Sequence, residues 1–528
     1  MDNALLELRR IQTLPLSRQA DALLENPEVL QRFPAEELYW FIHNLGLEDA
    51  LELVQNTSPA QFCALVDFAA WRGDSFQLAA LMEWLEVALG GEEEAFFAKL
   101  QGLDIEVLEL LFQRAVHIKQ VDEPEDNTLE SMETVDGRLR LEFLPTGNQR
   151  HVLQRIVEIW AGKNALEFSR FLEAVRWNLP SELEETAFLF RNARLEDLGF
   201  PPRERAMSLL AWVDIKQYLL VPQTPSLVDA GEDFLEEGFK ALTEEQRLQL
   251  EEEARYLVNG FLMAEEAEPG DGEAIYDLSR QARDYLNLGL HYITAGQRSF
   301  IVEALQQFGL RKIFQVGLSL TVDIKRELER MRKEPHAQWQ KLWWTMEALY
   351  PLLSAINSRR PLLWKEGKKA MFRSLADISF ARLQLEKARR QMAIMALLHQ
   401  NEPQKALLPF GVELELLRPE RFFCSAVAHF VSEGKVWAKP FAPEDIGHLE
   451  AKLCVSSFAE FAEAFAHSLS LSGEMFEEAK EMAMTCLHSL GAECDASKGE
   501  QGNLAAQNIF CLPIKSLPLH PPKAPCLP

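Results

Sequence analysis

Six cations and one tryptophan lie between positions 359 and 373. They are Arg359, Arg360, Trp364, Lys365, Lys368, Lys369 and Arg373. Guanidinium groups bind carboxylates and phosphates through parallel hydrogen bonds, and an indole ring attracts cations. This combination predicts binding of an acidic partner protein, or of a phosphate-bearing or carboxylate-rich ligand. The alternative is that these cations pair with acidic regions of the same chain or are solvated, as surface charges usually are.

The surrounding segment, residues 311–410, differs in charge from the rest of the chain. It carries 19 Lys and Arg residues against 9 Asp and Glu residues, whereas the whole chain has a formal net charge of −27. A strongly acidic chain disfavours binding of nucleic acid, because contacts to phosphates need a cationic surface. Tryptophans at helical spacing are more typical of a core than of a binding site. Those of the segment are Trp339, Trp343, Trp344 and Trp364.

Cysteines and histidines accumulate near the C-terminus, which raises the question of a metal site. Their spacing contains no C-x2-C, H-x3-5-H or H-E-x-x-H pattern, so we predict no metal ion and no other cofactor. Cys454 and Cys486 have apolar neighbours and are expected in the core. Seven cysteines in 528 residues are few and odd in number, which favours reduced thiols. The residues considered as ligands are Cys424, His429, His448, Cys454, His467, Cys486, His488 and Cys494.

Motifs of common enzyme classes are absent. Gly367-Lys368-Lys369 lacks the upstream glycine and the hydroxyl residue of a phosphate-binding loop, and no G-x-S-x-G sequence occurs. Acid and base pairs among the 81 carboxylates stay open, because only a structure can sort them. The sequence therefore assigns no catalytic residue and favours a protein that is not an enzyme.

Short amphipathic helices are predicted along the first 120 residues. Apolar residues recur at i, i+3, i+4 and i+7 after Pro34 and Pro59, from Leu78, and after Asp104, which is expected to cap its helix. One such helix cannot bury its apolar stripe alone, so helices in series predict stacked α-hairpins. The expected class is all-α, an irregular α-superhelical array with minor short β elements.

Later segments extend this prediction. After Gly199 the pattern predicts a helix that continues to Val213, and further helices are expected over residues 275–295, 313–331 and 368–402. Short strands are expected where apolar and polar residues alternate. These are a lone strand at Arg138–Phe143 and strands at Val412–Leu416 and Lys435–Phe441.

Acidic and proline-containing breaks suggest the domain boundaries. Residues 122–136 are expected to form an exposed linker, Glu265–Glu273 a second break, and the end of the chain from residue 492 a disordered tail. The predicted organisation has five parts. They are an N-terminal helical-hairpin array (1–121), a second helical region (138–264), a basic tryptophan-rich region (274–410), a C-terminal helical region (411–491) and a proline-rich tail (492–528).

The sequence also bears on location. The first residues lack the basic and apolar regions of a secretory signal, and no uncharged apolar run approaches the ~20 residues that span a bilayer. We therefore expect a cytoplasmic protein without membrane insertion.

Two resemblances add to this interpretation. The helix openings FPAEE (33–37), TSPAQ (57–61) and GFPPRE (199–204) resemble the helical cytosolic N-terminal domain of MgtE-type magnesium transporters, a stack of short α-hairpins. No transmembrane segments follow here, and no ligand motif carries over.

The second resemblance is broader and reaches about residue 490. Four stretches are similar to an uncharacterised bacterial family, known as a domain of unknown function. This similarity implies a bacterial, cytoplasmic, helical protein and brings no activity with it. The stretches are LEDLGFPPRERAMSLLAWVD (195–214), YLNLGLHYI (285–293), LRKIFQVGLSL (310–320) and RRPLLWKEG (359–367).

The leading hypothesis from the sequence is a non-enzymatic scaffold or adaptor that binds another protein through the region 311–400. The alternative is a protein or enzyme that binds an anionic ligand with Arg359, Arg360, Lys368 and Lys369. A concave pocket into which these cations converge would favour the alternative, and cations spread over a convex surface would favour the scaffold.

Overall fold

The computed structural model describes residues 11, 14–121, 131–220, 233–267, 270–334, 350–398, 419–436, 446–453 and 457–496. Within these ranges the chain is mostly helical, with a few short antiparallel strands. The predicted all-α class with minor β elements is confirmed. Among the described residues, no helix is both long and apolar enough to cross a membrane.

The chain divides into two compact units. Unit 1 comprises residues 1–211, 242–283 and 309–311, and unit 2 comprises residues 212–241, 284–308 and 312–528.

Unit 1 contains the predicted short helices in series. The helices are α1 (Leu16–Leu24), α2 (Pro27–Arg32), α3 (Ala35–Leu45), α4 (Leu51–Gln55), α5 (Pro59–Ala69), α6 (Leu78–Leu89), α7 (Glu93–Gly102), α8 (Ile105–Ala115), α9 (Gly147–Trp177), α10 (Pro180–Asp197) and α11 (Arg203–Met207). Later in the chain, α13 (Glu244–Glu265) also belongs to this unit. The apolar faces of α1 to α10 meet in one core, which extends in sequence from Ile11 to Phe200.

The helix signals in the sequence act as expected at several ends. Ser58 and Gln61 form a capping box at the start of α5, which satisfies backbone N–H groups that the first turn leaves without partners. Gly46 follows α3 with a φ of 91°, a left-handed conformation that glycine adopts at low cost. Asp104 precedes α8, but its side chain does not cap the helix.

Unit 1 also holds two small antiparallel sheets. Strands β1 (Trp71–Arg72) and β2 (Ser75–Phe76) form a two-stranded sheet. Strands β3 (Val116–Gln120), β4 (Ser131–Glu133) and β5 (Leu139–Phe143) form a sheet in the order β3–β5–β4.

The strand expected at Arg138–Phe143 is therefore confirmed as β5, but the prediction that it stands alone was wrong. Leu141 of β5 is fully buried and pairs with residues on both neighbouring strands. The linker prediction for residues 122–136 was wrong over β4, because Arg140 of β5 forms an ion pair with Glu133 of β4 at 2.6 Å. Residues 122–130 lie outside the described residues.

The helix expected after Gly199 is shorter than predicted. Helix α11 ends at Met207 and a single 3-10 turn, Ser208–Leu210, follows. Beyond it the backbone N–H of Val213 donates to the Ser319 hydroxyl at 2.9 Å, and the Trp212 indole donates to Asp323 at 2.9 Å. Both bonds are tertiary contacts within unit 2, and they hold residues 212 and 213 in an extended segment in spite of the helical periodicity of the sequence.

In its described residues, unit 2 contains both short and long helices and one two-stranded hairpin. Its helices are α12 (Phe234–Ala241), the C-terminal part of α14 (Gly272–Ile293), most of α15 (Ile301–Met331), α16 (Tyr350–Ile356), α17 (Leu375–Leu398), α18 (Pro419–Glu433), α19 (Ile446–Leu453), α20 (Phe458–Ser468) and α21 (Gly473–Ala496). The helix expected over 313–331 is confirmed as part of α15, and the one expected over 275–295 is confirmed in α14 as far as Ile293.

Two glycines allow α14 and α15 to touch through their backbones. A Cβ atom on Gly289 would lie 2.1 Å from the carbonyl oxygen of Ile313, and one on Gly317 would lie 1.9 Å from that of Tyr285. Real side chains do not tolerate such distances, so glycine is required at both positions.

The helix expected over residues 368–402 begins later than predicted. Lys368–Ala370 is strand β7, which pairs with β6 (Leu363–Lys365), and α17 starts at Leu375. The absence of glycine and proline permits a helix but does not require one, and pairing with β6 satisfies this backbone instead.

Helix α21 continues to Ala496, so the start of the tail at residue 492 was predicted too early. The remainder of the tail lies outside the described residues, as does the strand expected at Val412–Leu416. The strand expected at Lys435–Phe441 is described only at residues 435 and 436, which are not in a strand; residues 437–441 lie outside the described ranges.

Candidate functional site

The predicted basic site centres on a tight β-hairpin, residues 363–370. Its two-residue turn is Glu366-Gly367, with φ values of 54° and 77°. Positive φ at both positions is typical of a type I′ turn, whose twist suits a two-residue hairpin. The pairing places Leu363 opposite Ala370, Trp364 opposite Lys369, and Lys365 opposite Lys368. We call these eight residues the basic hairpin.

The register brings like charges together at the exposed end. Directly opposite residues of an antiparallel pair have Cβ atoms about 5 Å apart, and like charges there are destabilising. Lys365 and Lys368 occupy such a position, and both are exposed. Lys369 beside them is also exposed. The hairpin therefore carries three exposed lysines, with Lys365 and Lys368 on one face and Lys369 on the other.

The inner end of the hairpin is held by the core of unit 2. Leu363 is 1% exposed, and the backbone N–H of Leu362 donates to Ala355 in α16 at 3.0 Å. Trp364 is half-buried. One end of the hairpin is therefore packed in the core, and the end that carries the lysines is in water.

Asp377 connects the hairpin to the first turn of α17. Its carboxylate accepts a hydrogen bond from the backbone N–H of Arg373 at 2.9 Å and lies 3.5 Å from the Lys365 ammonium. Asp377 is buried. Lys365 therefore has a carboxylate partner, whereas in the described part of the chain Lys368 and Lys369 have no acidic group within ion-pair distance.

The three predicted arginines have different surroundings. Arg373 is exposed, and its guanidinium lies 3.5 Å from Asp284. Arg360 is half-buried, and burial lowers its pKa to about 10, so it keeps its charge at neutral pH. Arg359 is exposed, and both Arg359 and Arg360 interact with other groups of the protein. The structure thus groups Trp364, Lys365, Lys368 and Lys369 on the hairpin and places Arg373 after it.

A second charged cluster, in unit 1, was not found from the sequence. The Arg194 guanidinium donates to both carboxylate oxygens of Asp67, at 2.7 and 2.8 Å. It also donates to both carboxylate oxygens of Asp104, at 2.9 and 2.7 Å. Arg191 donates to the backbone carbonyl of Asp67 at 2.7 Å and lies over the rings of Trp71 and Phe188. We call Asp67, Asp104, Arg191 and Arg194 the arginine network.

Electrostatic interactions link the members of the network to one another and to Cys63. Burial lowers the pKa of Arg194, but the hydrogen bonds to Asp67 and Asp104 outweigh that effect, so its pKa is raised. Burial lowers the pKa of Arg191 to about 10, and Arg191 stays charged at neutral pH. Cys63 interacts electrostatically with the network, and burial together with Asp67 raises its pKa to about 12. A thiol of that pKa is protonated and is not a nucleophile at neutral pH.

The network also explains why Asp104 does not cap α8. Its carboxylate is occupied by Arg194, which comes from α10, while Asp67 comes from α5. In the sequence, Arg194 is 90 residues from Asp104 and 127 residues from Asp67. No local motif could therefore reveal that they pair. The hydrogen bonds of Arg194 thereby tie α10 to α5 and to the residue that precedes α8.

A family comparison covers nearly the whole chain. Residues 4–515 match the model of a family of unknown function, DUF6178. The chain belongs to this family. The resemblance to an uncharacterised family seen in the sequence is thereby confirmed. No curated protein and no solved structure matches the chain.

Near the C-terminus of this family member, the cysteines and histidines whose contacts are described have different neighbours. Cys424 lies beside Cys486, His429 beside Glu433, His467 against Phe476, and His488 against Phe458. Cys486 is 8% exposed, which confirms that it is a core residue, while Cys454 lies outside the described residues. In the part of the chain that the structure describes, no three His, Cys, Asp or Glu residues are grouped as metal ligands.

A surface depression in unit 2 does not include the predicted cations. It is lined by Arg390 and four glutamates, together with Gly473 and Phe476. Arg390 already lies 2.8 Å from Glu474 and 3.7 Å from Glu478. An excess of carboxylates disfavours an anionic ligand in this depression. The tryptophans Trp339, Trp343 and Trp344 lie outside the described residues.

Proposed function

We propose that this protein is a non-enzymatic cytoplasmic scaffold that binds another protein through the basic hairpin. The partner surface would be acidic, with carboxylates facing Lys365, Lys368 and Lys369. The observation that carries the proposal is the cross-strand pair Lys365–Lys368 at an exposed tip. A like-charge pair costs free energy in the unbound protein, and an anionic partner would remove that cost.

The shape of the hairpin favours a protein over a small ligand. Its three lysines lie on a two-stranded hairpin and are all exposed. A small anionic ligand is usually held in a concave site that buries most of its surface. An extended acidic surface can instead contact several exposed lysines of the hairpin at once. Trp364, half-buried beside Lys369, adds an apolar and aromatic contact of the kind that interfaces favour.

The remaining predicted cations would extend this surface. Arg359 and Arg373 are exposed and flank the hairpin in sequence. Both already interact with other groups of the protein, so their role would be to raise the local potential and the rate of association. The expected consequence is binding that weakens strongly as salt is added.

The test is affinity capture from a bacterial lysate with three purified proteins. They are the wild type, the double variant Lys368→Glu/Lys369→Glu, and a matched control, Lys216→Glu/Lys333→Glu. Lys216 and Lys333 are exposed lysines of unit 2 away from the hairpin in sequence, so the control makes the same change in net charge. Circular dichroism and thermal unfolding would show that all three proteins fold alike.

We expect a stoichiometric partner to be captured by the wild type and by the control, and to be lost in the hairpin variant. Repetition with the purified partner should give an affinity at least tenfold lower for the hairpin variant and a shallower salt dependence. Equal capture by all three proteins would show that the hairpin is not the contact. If none captures a partner, while phosphorylated metabolites raise the melting temperature of the wild type but not of the hairpin variant, the alternative of an anionic ligand would replace the scaffold.

A further inference from the structure

Helix α17 extends from the basic hairpin to the surface depression that Arg390 lines. Its first turn contacts the hairpin, because the carboxylate of buried Asp377 lies 3.5 Å from the Lys365 ammonium. Its second half contributes Arg390 to the depression, where the guanidinium lies 2.8 Å from Glu474. We call this depression acidic, because its other charged residues are all glutamates, namely Glu474, Glu477, Glu478 and Glu481. One helix of unit 2 therefore connects a cationic surface to an anionic one.

Between these two ends, α17 has exposed apolar side chains. Ala376, Phe380 and Leu383 recur at i, i+4 and i+7, a spacing that places them on one face of a helix. Phe380 is 44% exposed and Leu383 is 59% exposed. Lys387 follows Leu383 at i+4 on the same face, and its ammonium lies 2.7 Å from Glu481 at the acidic depression. We call Ala376, Phe380 and Leu383 the apolar stripe; the distance along the helix from Ala376 to Lys387 is about 16 Å.

The apolar stripe is a second apolar face of α17. The helix buries a separate row of side chains, Ile378, Leu385 and Met392, which are each 2% exposed or less. Its packing in unit 2 is therefore supplied by that row and does not need Phe380 or Leu383 in water. Single exposed apolar residues are common on protein surfaces, but contiguous ones that are rimmed by charges are typical of an interaction surface.

We propose that the basic hairpin, the apolar stripe and the acidic depression together bind one amphipathic α-helix of the partner protein. This assignment rests on the proposed function and specifies the segment of the partner. The acidic end of that helix faces Lys368 and Lys369, its apolar residues pack on Phe380 and Leu383, and its basic end lies over the glutamates of the depression.

The geometry favours a helix over an extended segment. Apolar residues spaced by three and four along one helix present a ridge that matches the same spacing on a second helix. A helix of about 11 residues covers the distance from the hairpin to the depression. The opposite charges at the two ends also set the direction of the bound helix, because the reverse direction would place like charges together at both ends.

The test begins with a library of random peptides of about 16 residues displayed on phage and selected on the purified full-length protein. Peptides are kept if they bind the wild type and not the variant Lys368→Glu/Lys369→Glu. We expect the kept sequences to have Asp or Glu at one end, Lys or Arg at the other, and apolar residues at helical spacing between them. Kept sequences in which apolar residues alternate with a period of two would overturn the helix. If no peptide is kept, the proposed function and this inference both fail.

The second step measures the affinity of synthetic copies of the kept peptides for Phe380→Ser/Leu383→Ser. The matched control is Leu189→Ser/Phe190→Ser on α10 of unit 1, where the side chains are 60% and 46% exposed. Circular dichroism would show that both variants fold like the wild type. We expect an affinity about tenfold lower or less for the stripe variant and no change for the control. Peptides that bind the stripe variant as tightly as the wild type would overturn this inference and leave the proposed function standing.

The basic end is tested with Glu477→Lys, which reverses one exposed charge in the acidic depression. The kept peptides should bind this variant about threefold more weakly. The matched control is Glu182→Lys, an exposed glutamate of α10, which should leave the affinity unchanged. Peptide copies with glutamine in place of their basic residues should not distinguish Glu477→Lys from the wild type. Equal binding of the unchanged peptides to Glu477→Lys and to the wild type would overturn the placement of the basic end.

Discussion

Arg194 in unit 1 and Lys368 in unit 2 are both cations, but Arg194 has acidic neighbours and Lys368 lies opposite another lysine. Arg194 donates to four carboxylate oxygens of Asp67 and Asp104. Lys368 instead lies across a hairpin from Lys365 and has no acidic partner among the described residues. The charge of Arg194 is neutralised inside the fold, whereas that of Lys368 is presented to whatever approaches from solvent.

The difference shows how a single chain can use cations for two purposes. Removal of one partner from a buried ion pair strands the other charge, so the arginine network should be critical for stability. An exposed lysine next to another lysine adds nothing to stability and has a modest cost. We therefore expect stability to depend on the network and binding to depend on the basic hairpin.

The largest effect is expected for Arg194→Met. Asp67 and Asp104 would lose their shared partner, and Asp67 is 3% exposed, so it cannot recover full hydration. The free energy of unfolding should fall by about 3–5 kcal/mol, measured by denaturant titration.

The control for this variant is Arg205→Met, which breaks an exposed pair with Glu196 in the same unit. Its loss should stay below about 1 kcal/mol. A loss of similar size in both variants would mean that the buried network is worth no more than a surface pair, and the contrast with the hairpin would fail.

A smaller loss is expected for Arg194→Lys. Lysine keeps the positive charge but cannot donate in parallel to two carboxylates. The free energy of unfolding should fall by about 1–2 kcal/mol, between the values for the wild type and Arg194→Met. A variant as stable as the wild type would show that charge alone holds the network and that the fork geometry is unimportant.

Neutralising the hairpin should leave stability nearly unchanged. In Lys368→Gln/Lys369→Gln the repulsion with Lys365 disappears, so the free energy of unfolding should rise or stay within about 0.5 kcal/mol. Denaturant titration of this variant beside Lys216→Gln/Lys333→Gln would separate a local effect from a general change in net charge. A loss of about 1 kcal/mol or more would mean that the two lysines pair with acidic residues of the same chain.

The smallest effect is expected for Glu366→Asn. Glu366 has a φ of 54° at the first turn position, where asparagine is better accommodated. The change should stabilise the hairpin by a few tenths of a kcal/mol. It also removes the carboxylate at the tip, so affinity for an acidic partner should increase slightly. Weaker binding, checked by titration with the captured partner, would show that Glu366 itself contacts the partner.

The sequence predicts the helical class because amphipathic periodicity is local. It locates α5 and α6 through Ser58, Pro59 and the glycines after Leu89. It also predicts β5 from strict alternation, but not β3 or β4. Those strands depend on pairing with β5, which a single segment does not show.

For the candidate site, too, local features could be predicted from the sequence, whereas contacts between separate segments could not. Charge density marked residues 359–373, but only the pairing of β6 with β7 shows that Lys365 faces Lys368. The arginine network was missed because its members come from α5, α10 and the residue before α8, and each alone is typical of a solvated surface. Likewise the adjacency of Cys424 and Cys486 follows from helix packing and from no spacing rule.

The most direct test of the central claim is zero-length cross-linking with a carbodiimide, which joins lysine amines to carboxylates that touch them. The reaction would be carried out on the wild type in the presence of its captured partner, and the cross-linked peptides would be identified by mass spectrometry. We expect Lys368 or Lys369 to be joined to aspartate or glutamate residues of the other protein, with fewer such links at high salt. Links from these lysines only to acidic residues of the same chain would contradict the account, because the charge of the basic hairpin would then be neutralised inside the protein, as it is for Arg194.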